Sequence, residues 1–454
     1  GIDIVDYSLQ TSVEITLDGA LKGVISAETI KGNNTDSTLI GGNTTNTWNI
    51  TGANRGNIDG ITFIDFNHLT GGTGDDTFSF EAGSSIAGLI NGSDGNDTID
   101  YSKLAVVTAN LVNINNVESL IGNNSASTII SSNSDNAWII NGENDGSING
   151  INFTNFNQLT GGTGVDTFSF TTDGSISGTV DAGDGNDIVD YSLQTDVNVL
   201  VSEALKGILN AEIVRGNNTN STLVGDNSVN NWTIDGSNTG TIGGFTFVDF
   251  NHLTGGSDVD TFTVAVNGAL TGLIRGGAGN DIFNLVALTR NIAVAIDESM
   301  SADFNVLEVE DIQANEDVNL SNTIIAANTN NIWNVNGLNA GVLNTTNFSG
   351  FENLTGGSLN DSFTLKNSDS ITGLINGGGG AADELNIQNL GRDITVKLGA
   401  NAGNNSNDTL YVNNIENINA SFSNTNTLIA DDSLNAWRID GINTSSIEDQ
   451  VAPD

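Results

Sequence analysis

The sequence predicts an all-β fold, a right-handed parallel β-solenoid (β-helix-like or β-roll-like) of degenerate repeats of about 90–100 residues. Three observations predict it. A ten-residue stretch returns in register, short β-branched or aromatic runs alternate with small polar residues, and no stretch has a sustained helical period. Because stacked repeats bury a continuous core, chain length sets the number of coils rather than the number of domains.

The repeat is clearest in a Leu-Thr-Gly-Gly stretch that ends in Phe. It occupies residues 69–78, 159–168, 253–262 and 354–363, so its starts lie 90, 94 and 101 residues apart. Between the first two of these stretches, related patterns begin at Ile90, Leu120 and Ile129. These spacings predict one continuous solenoid. It divides into a partial first repeat (1–68), three repeats (69–158, 159–252 and 253–353) and a more degenerate last repeat (354–454).

Strand signals fill the segments between the corners. The run Ile-Thr-Phe-Ile-Asp-Phe at 61–66 has counterparts at 151–156 and 245–250, each short, β-branched or aromatic, and bounded by Gly or Asn. Gly-Gly, Asn-Gly and Asp-Gly supply the positive-φ corners between strands. Coils of this kind lay their apolar residues on those of the coil below.

All five tryptophans occupy one repeat position, with Asn two residues before and Gly four residues after each of them. One interpretation is an aromatic ladder that stacks on sugars. The other, which we favour, is a core residue that fills the same gap in every repeat. The five are Trp48, Trp138, Trp232, Trp333 and Trp437.

Composition narrows the classes of function. The chain has 12 Lys and Arg against 55 Asp and Glu, a net charge of −43. That charge disfavours nucleic acids and anionic membranes, since both require cationic protein surface. Solubility explains the same charge, because like-charged molecules repel one another. The absence of cysteine excludes disulfides and thiol chemistry, and no apolar run predicts membrane insertion.

The Gly-rich corners carry a recurring acidic residue. Residues 71–79 read Gly-Gly-Thr-Gly-Asp-Asp-Thr-Phe-Ser, and 161–169 and 276–284 fit the same pattern. Here the chain resembles the RTX, or haemolysin-type calcium-binding, repeats of secreted bacterial proteins, set within a long repetitive adhesin or haemagglutinin-like surface protein. The resemblance implies calcium bound between turns on one side of a β-roll. Ca²⁺ takes six to eight oxygen ligands, which paired turns supply.

The resemblance implies metal-binding carboxylates at Asp76, Asp97, Asp166, Asp187, Asp260, Asp281 and Asp361. The step from one pattern to the next would pair the first six of these in sequence order, while Asp361 faces a disturbed segment at 377–383. Several corners depart from the family pattern by losing a Gly. The alternative is that Gly and Asp are only corner residues, with Asp making a local turn hydrogen bond.

No catalytic set stands out. His68 and His252 occupy one repeat position that Gln158 and Asn353 fill in other repeats, so we interpret them as surface residues of a coil. We therefore predict no catalytic residues, no organic cofactor and no enzyme activity. A carbohydrate-active β-helix enzyme, a polysaccharide lyase or hydrolase with an acidic pair, stays as an alternative.

These observations predict a secreted or cell-surface bacterial protein with a structural role. It would be an adhesin shaft or a filament-forming matrix or sheath subunit, stabilised by calcium. The repeats at both ends are incomplete, which predicts a fragment or processed chain and open coils. Open coils favour end-to-end self-association or continuation into a longer chain. The same features also fit a protein that binds a carbohydrate or cell-surface ligand, and a binding module switched by calcium.

Overall fold

The fold comes from a computed structural model, which describes residues 3–17, 27–201, 207–366, 370–399, 408–421 and 424–429. The chain forms two compact units. Unit 1 is Gly1–Val197 with Ala204–Asn217, and unit 2 is Asn198–Glu203 with Asn218–Asp454. Trp437 lies outside the described residues.

In unit 1 the chain alternates between two faces, and it contributes one strand or one group of strands to each face in turn. We call the face that contains the tryptophans the first face. Its strands are Ile4–Asp6, Thr29–Lys31, Thr47–Gly52, Arg55–Ile58, Ile61–Ile64, Thr77–Phe80, Thr98–Asp100, Ser119–Ile121, Ala137–Gly142, Asp145–Ile148, Ile151–Thr154, Thr167–Phe170, Ile188–Asp190 and Ile213–Arg215.

The second face of unit 1 consists of two five-stranded parallel sheets. A short 3₁₀ helix, Leu111–Asn113, lies between Val107–Asn110, a strand of the second sheet, and Ile114–Asn115, a strand of the first sheet. The first sheet has Val13–Thr16, Ser37–Ile40, His68–Gly72, Ile90–Ser93 and Ile114–Asn115. The second has Val107–Asn110, Ser127–Ile130, Gln158–Thr160, Thr179–Asp181 and Ile208–Leu209.

Unit 2 repeats this alternation. Its first face has Asn231–Gly236, Thr239–Ile242, Phe245–Val248, Thr261–Val264, Ile282–Asn284, Asp311–Gln313, Ile332–Gly337, Ala340–Leu343, Thr346–Ser349, Ser362–Lys366, Glu384–Asn389 and Asn417–Asn419. Its second face has Ser221–Val224, His252–Gly256, Leu273–Gly277, Ala293–Ala295, Phe304–Leu307, Thr323–Ile325, Asn353–Thr355, Leu374–Asn376, Thr395–Leu398, Thr409–Asn413 and Thr427–Ile429. Val197–Leu200 has residues in both units.

Residues at the same place in successive sequence patterns pair with each other on neighbouring strands. On the second face Leu69, which begins one pattern, pairs with Ile90, which begins the next, and with Leu39 on the preceding coil. The chain between Leu39 and Leu69 holds a feature that the sequence reading missed. Thr47–Gly52, Arg55–Ile58 and Ile61–Ile64 form a three-stranded antiparallel meander inserted between parallel neighbours.

Apolar side chains stack in register to form the core. Trp48 pairs with Phe78, then Ile99, then Leu120 and then Phe153 along the first face, and all five are at most 1% exposed. Each of the four described tryptophans is likewise buried. Trp48 stacks on Phe78 with 5.3 Å between ring centroids. The core interpretation is therefore confirmed for these four tryptophans, and the sugar-stacking interpretation is wrong for them.

The predicted fold type is confirmed in its broad form. The described residues are all-β, with long sheets of parallel strands and a repeating coil, which is the architecture of a β-helix or solenoid. They contain no α-helix. None of the helices in the described part of the chain has the length and apolar content needed to span a membrane.

Candidate functional site

The Gly-rich corner carries the chain from the second face to the first. The strand His68–Gly72 ends at the corner, and the next strand begins at Thr77. Asp76 is the last corner residue, and its side chain points inward, since the residue is 1% exposed. The other predicted ligands occupy equivalent corners and are equally buried.

These aspartates connect successive coils by hydrogen bonds to the backbone. Asn46 donates its backbone N–H and its side-chain Nδ2 to Asp76 Oδ1, both at 2.7 Å. Asp76 donates its backbone N–H to Asp97 Oδ1 at 2.7 Å. Asp97 in turn donates its N–H to Glu118 Oε2 at 2.8 Å. Four consecutive coils are thus joined by one chain of buried or half-buried side chains, which we call an acidic ladder.

The acidic ladder occurs four times, twice in each unit, always in the order Asn, Asp, Asp, Glu. Each aspartate accepts the backbone N–H of the residue one coil earlier at 2.7–2.8 Å. The three further ladders are Asn136–Asp166–Asp187–Glu212, Asn230–Asp260–Asp281–Glu310 and Asn331–Asp361–Asp383–Glu416.

The predicted pairs are therefore neighbours. Asp166 lies one coil from Asp187, and Asp260 lies one coil from Asp281, each pair joined by a hydrogen bond of 2.8 Å. Asp361, predicted to face a disturbed segment, pairs in the same way with Asp383.

Sequence reasoning did not find the two ends of each ladder. Asn46 carried a signal, since each Trp has Asn two residues before it. The glutamates gave a weaker one, because they follow the second aspartate at a variable distance, from 21 residues at Glu118 to 33 at Glu416. Asp383 ends the segment predicted to face Asp361, but it was not among the predicted ligands because its corner has lost the regular Gly spacing.

Glycine is required where the aspartate turns inward. A Cβ at Gly71 would lie 2.1 Å from Asp76 Oδ2 and 2.5 Å from the carbonyl oxygen of Gly92 on the next coil. Two oxygens thus crowd the space that any side chain would need. Gly161, Gly255 and Gly356 meet the carboxylates of their own corners in the same way.

The second carboxylate oxygen is the unusual feature of the ladder. Oδ2 is buried and has no hydrogen-bond partner in Asp76, Asp97, Asp166, Asp187, Asp260, Asp281 and Asp383. Only Asp361 Oδ2, among the eight ladder aspartates, accepts a bond, from the Gly357 N–H at 2.7 Å. Because buried polar atoms are usually paired, seven orphaned oxygens call for a proton or a cation.

Burial changes the acidity of these groups. It is the largest cause that raises the pKa of all eight ladder aspartates, and hydrogen bonds from the preceding coil only partly offset it. The pKa of Asp97 rises to about 6, since burial acts together with the charges of Asp76 and Glu118. The ladder carboxylates therefore bind a proton more readily in the folded protein than in the unfolded chain.

A divalent cation finds an incomplete set of ligands here. The described residues contain no group of three or more His, Cys, Asp or Glu placed to hold a metal ion. Calcium requires six to eight oxygens. A calcium ion at a corner would have to combine an orphaned carboxylate oxygen such as Asp76 Oδ2 with backbone carbonyls such as that of Gly92, which borders the same space beside Gly71.

The two histidines, on the second face, also accept a backbone N–H from a neighbouring coil. His68 Nδ1 accepts the backbone N–H of Leu89 at 2.9 Å, and His252 Nδ1 accepts that of Leu273 at 3.1 Å. Asn353 Oδ1 makes the equivalent contact with Leu374 at 2.9 Å. His and Asn can replace each other at this position because either side chain supplies an acceptor for the backbone N–H.

Comparisons of this chain with protein-family models, with curated proteins and with solved structures found no match.

Proposed function

We propose that this chain is a structural shaft of a secreted or surface-attached bacterial protein, an adhesin stalk or a fibre subunit. The observation that carries the proposal is the acidic ladder. Each ladder aspartate accepts a backbone N–H from the neighbouring coil through a buried carboxylate, and the order Asn, Asp, Asp, Glu recurs in all four ladders. Hydrogen bonds of this kind between successive coils support a stiff stack of coils.

The charge supports the same role. With a net charge of −43, stacked coils of one molecule repel those of another laterally and stay soluble. In this proposal the coils wind right-handed, because connections between parallel strands of one sheet are right-handed in nearly all proteins. Assembly is end to end, by pairing of strands at open coils, either with another copy or with the rest of a longer chain.

Negative-stain electron microscopy of the purified chain tests the shaft. We expect straight rods of constant width, and end-to-end polymers at high protein concentration. Compact particles without an elongated axis would contradict the shaft, whereas rods that stay single at all concentrations would contradict only the end-to-end assembly.

Calcium stabilisation is a second candidate, and the orphaned Oδ2 atoms are the observation that favours it. In this candidate Asp76 with Asp97, Asp166 with Asp187, and Asp260 with Asp281 contribute carboxylate oxygens, and Asp361 contributes the last. The ion would supply positive charge beside buried carboxylates and make folding depend on metal.

A thermal melt followed by circular dichroism, with calcium and then with excess EGTA, tests this candidate. If calcium holds the corners, EGTA lowers Tm by several degrees or abolishes the β signal. An unchanged Tm would sink the calcium candidate and leave the shaft in place, since the ladder hydrogen bonds need no ion.

A further inference from the structure

A cavity in unit 2 interrupts the regularity of the coils. It measures about 620 Å³, which is within the range of small-molecule sites. Its lining includes Glu316, Val318, Leu338, Asn339 and Glu352. None of the described residues that line it is Lys, Arg or His.

An insertion creates one wall of this cavity. In the first repeat five residues separate Lys31, the end of a first-face strand, from Ser37. In the equivalent corner of unit 2, eight residues separate Gln313 from Asn322. The three additional residues belong to the segment 314–321, which carries Glu316 and Val318 to the mouth of the cavity.

A change of residue supplies the polar wall. In the other repeats an asparagine accepts the backbone N–H of a residue at the start of the second-face strand one coil earlier, as Asn67 Oδ1 does from Ser37 at 2.8 Å. Asn157 and Asn251 make the same contact. The coil that carries the cavity has Glu352 at this position, where Oε2 accepts the N–H of Asn322 at 2.7 Å.

The carboxylate of Glu352 is held rigidly. Its Oε1 accepts Asn339 Nδ2 at 3.1 Å, and the residue is only 7% exposed. Each oxygen has a donor that fixes its direction, yet neither donor is a cation. A buried carboxylate with no cationic partner attracts a positively charged group strongly, since the protein interior screens charge weakly.

Two exposed apolar residues also line the cavity, beside Glu316. Val318 is 92% exposed and Leu338 is 66% exposed, although both are large hydrophobic residues. Exposed apolar groups that ring a polar cavity are typical of ligand sites. A ligand that satisfies both walls has a cationic head and an aliphatic stem, as a lysine side chain does.

We propose that this cavity binds an aliphatic primary ammonium group, with its charge at Glu352 and its alkyl chain against Val318 and Leu338. The group belongs either to a free amine or to a lysine side chain of another protein. Burial raises the pKa of Glu352, and an adjacent ammonium would oppose that effect. Binding therefore tightens as the pH rises and Glu352 ionises.

The test uses the full chain and n-pentylamine, followed by two-dimensional NMR of the amides at 316–321 and 338–339. It is run at roughly 1 M NaCl, where a Debye length of about 3 Å suppresses diffuse attraction to the acidic surface. We expect saturable shifts with n-pentylamine and at least tenfold weaker binding of n-pentanol and methylammonium, which lack the charge or the stem. Nα-acetyl-lysine amide measured beside n-pentylamine shows which source of the ammonium group binds more tightly.

Variants localise the site. Glu352→Asn restores the residue of the other repeats, so it is expected to fold, and it should weaken n-pentylamine binding at least tenfold. Leu338→Ser should weaken it severalfold. The control Asp235→Asn removes the same charge from an exposed position of unit 2 and should leave affinity unchanged. Equal affinity in Glu352→Asn and wild type, equal binding of n-pentanol, or no saturable binding would overturn the proposal.

Discussion

Within each corner, the glycine and the aspartate each depend on the space that the other leaves. Asp76 turns inward because Gly71 leaves its oxygen room, and Gly71 cannot change because that oxygen is there. The Gly-Gly-x-Gly-x-Asp pattern thus has a physical basis that does not require a metal ion. The pattern is visible in sequence, but its meaning as an inward carboxylate is not.

Replacement of Gly71 by alanine is expected to lower stability by about 1–3 kcal/mol, the usual cost of overpacking. The new Cβ would meet Asp76 Oδ2 at 2.1 Å. Gly42→Ala is the matched control, since its Cβ meets nothing closer than 3.7 Å. Urea unfolding of both variants checks this prediction, and equal midpoints would contradict the crowded corner.

We expect adjacent residues of one strand to differ sharply in their contribution to the free energy of unfolding. Trp138 is fully buried, whereas the side chain of its neighbour Ile139, on the other side of the same strand, is 46% exposed. Trp138→Ala should cost about 3–5 kcal/mol, and Ile139→Thr less than about 0.5 kcal/mol. Urea midpoints measure both. A tolerated Trp138→Ala would contradict the contribution of the buried tryptophan to the stability of the core.

At the scale of the element, the sequence reading predicted the stacked strands but not the meander. The coil steps were readable because Leu69, Ile90 and Leu39 are apolar residues in register. The meander was missed because its turn at Asp59–Gly60, with φ of 48° and 91°, uses the same positive-φ residues as a corner. Local composition does not distinguish a hairpin turn from a corner, since both require the same backbone conformation.

The acidic ladder shows the same limit. Asp76 and Asp97 were predicted as partners because a fixed step separates them. Glu118 was not, because the chain between ladder members varies in length from repeat to repeat, and only the fold brings the ends together. The unusual cavity at Glu352 was likewise invisible, since a Glu in an acidic chain carries no signal of its own.

At the scale of the whole molecule, the raised pKa values determine how stability depends on pH. Ladder aspartates bind protons more tightly when folded, so their contribution is fully present below the unfolded pKa of 3.8 and is lost as pH rises through the folded value, about 6 for Asp97. Asp6, Asp297 and Asp317 have a lowered pKa and act oppositely, but their contribution to stability is lost only as the pH falls below their unfolded pKa of 3.8, so it does not change between pH 5 and pH 7.5.

We therefore expect the urea midpoint to be higher at pH 5 than at pH 7.5, the reverse of ordinary acid denaturation. Protonation also reduces the repulsion that accompanies a net charge of −43. The variant Asp97→Asn should show a smaller dependence on pH, because it removes one titrating group. A midpoint that rises from pH 5 to pH 7.5 would contradict the buried, proton-binding ladder.

We infer that buried carboxylates hold successive coils together by accepting backbone N–H groups. Urea unfolding of Asp187→Asn and Asp187→Ala at pH 7 in EGTA tests it most directly. Asparagine keeps the oxygen that accepts the Asp166 N–H and removes a buried charge, so it should match or exceed the wild type in stability. Alanine leaves that N–H unpaired and should cost about 1–3 kcal/mol. Equal losses in both variants, or none in alanine, would contradict the ladder.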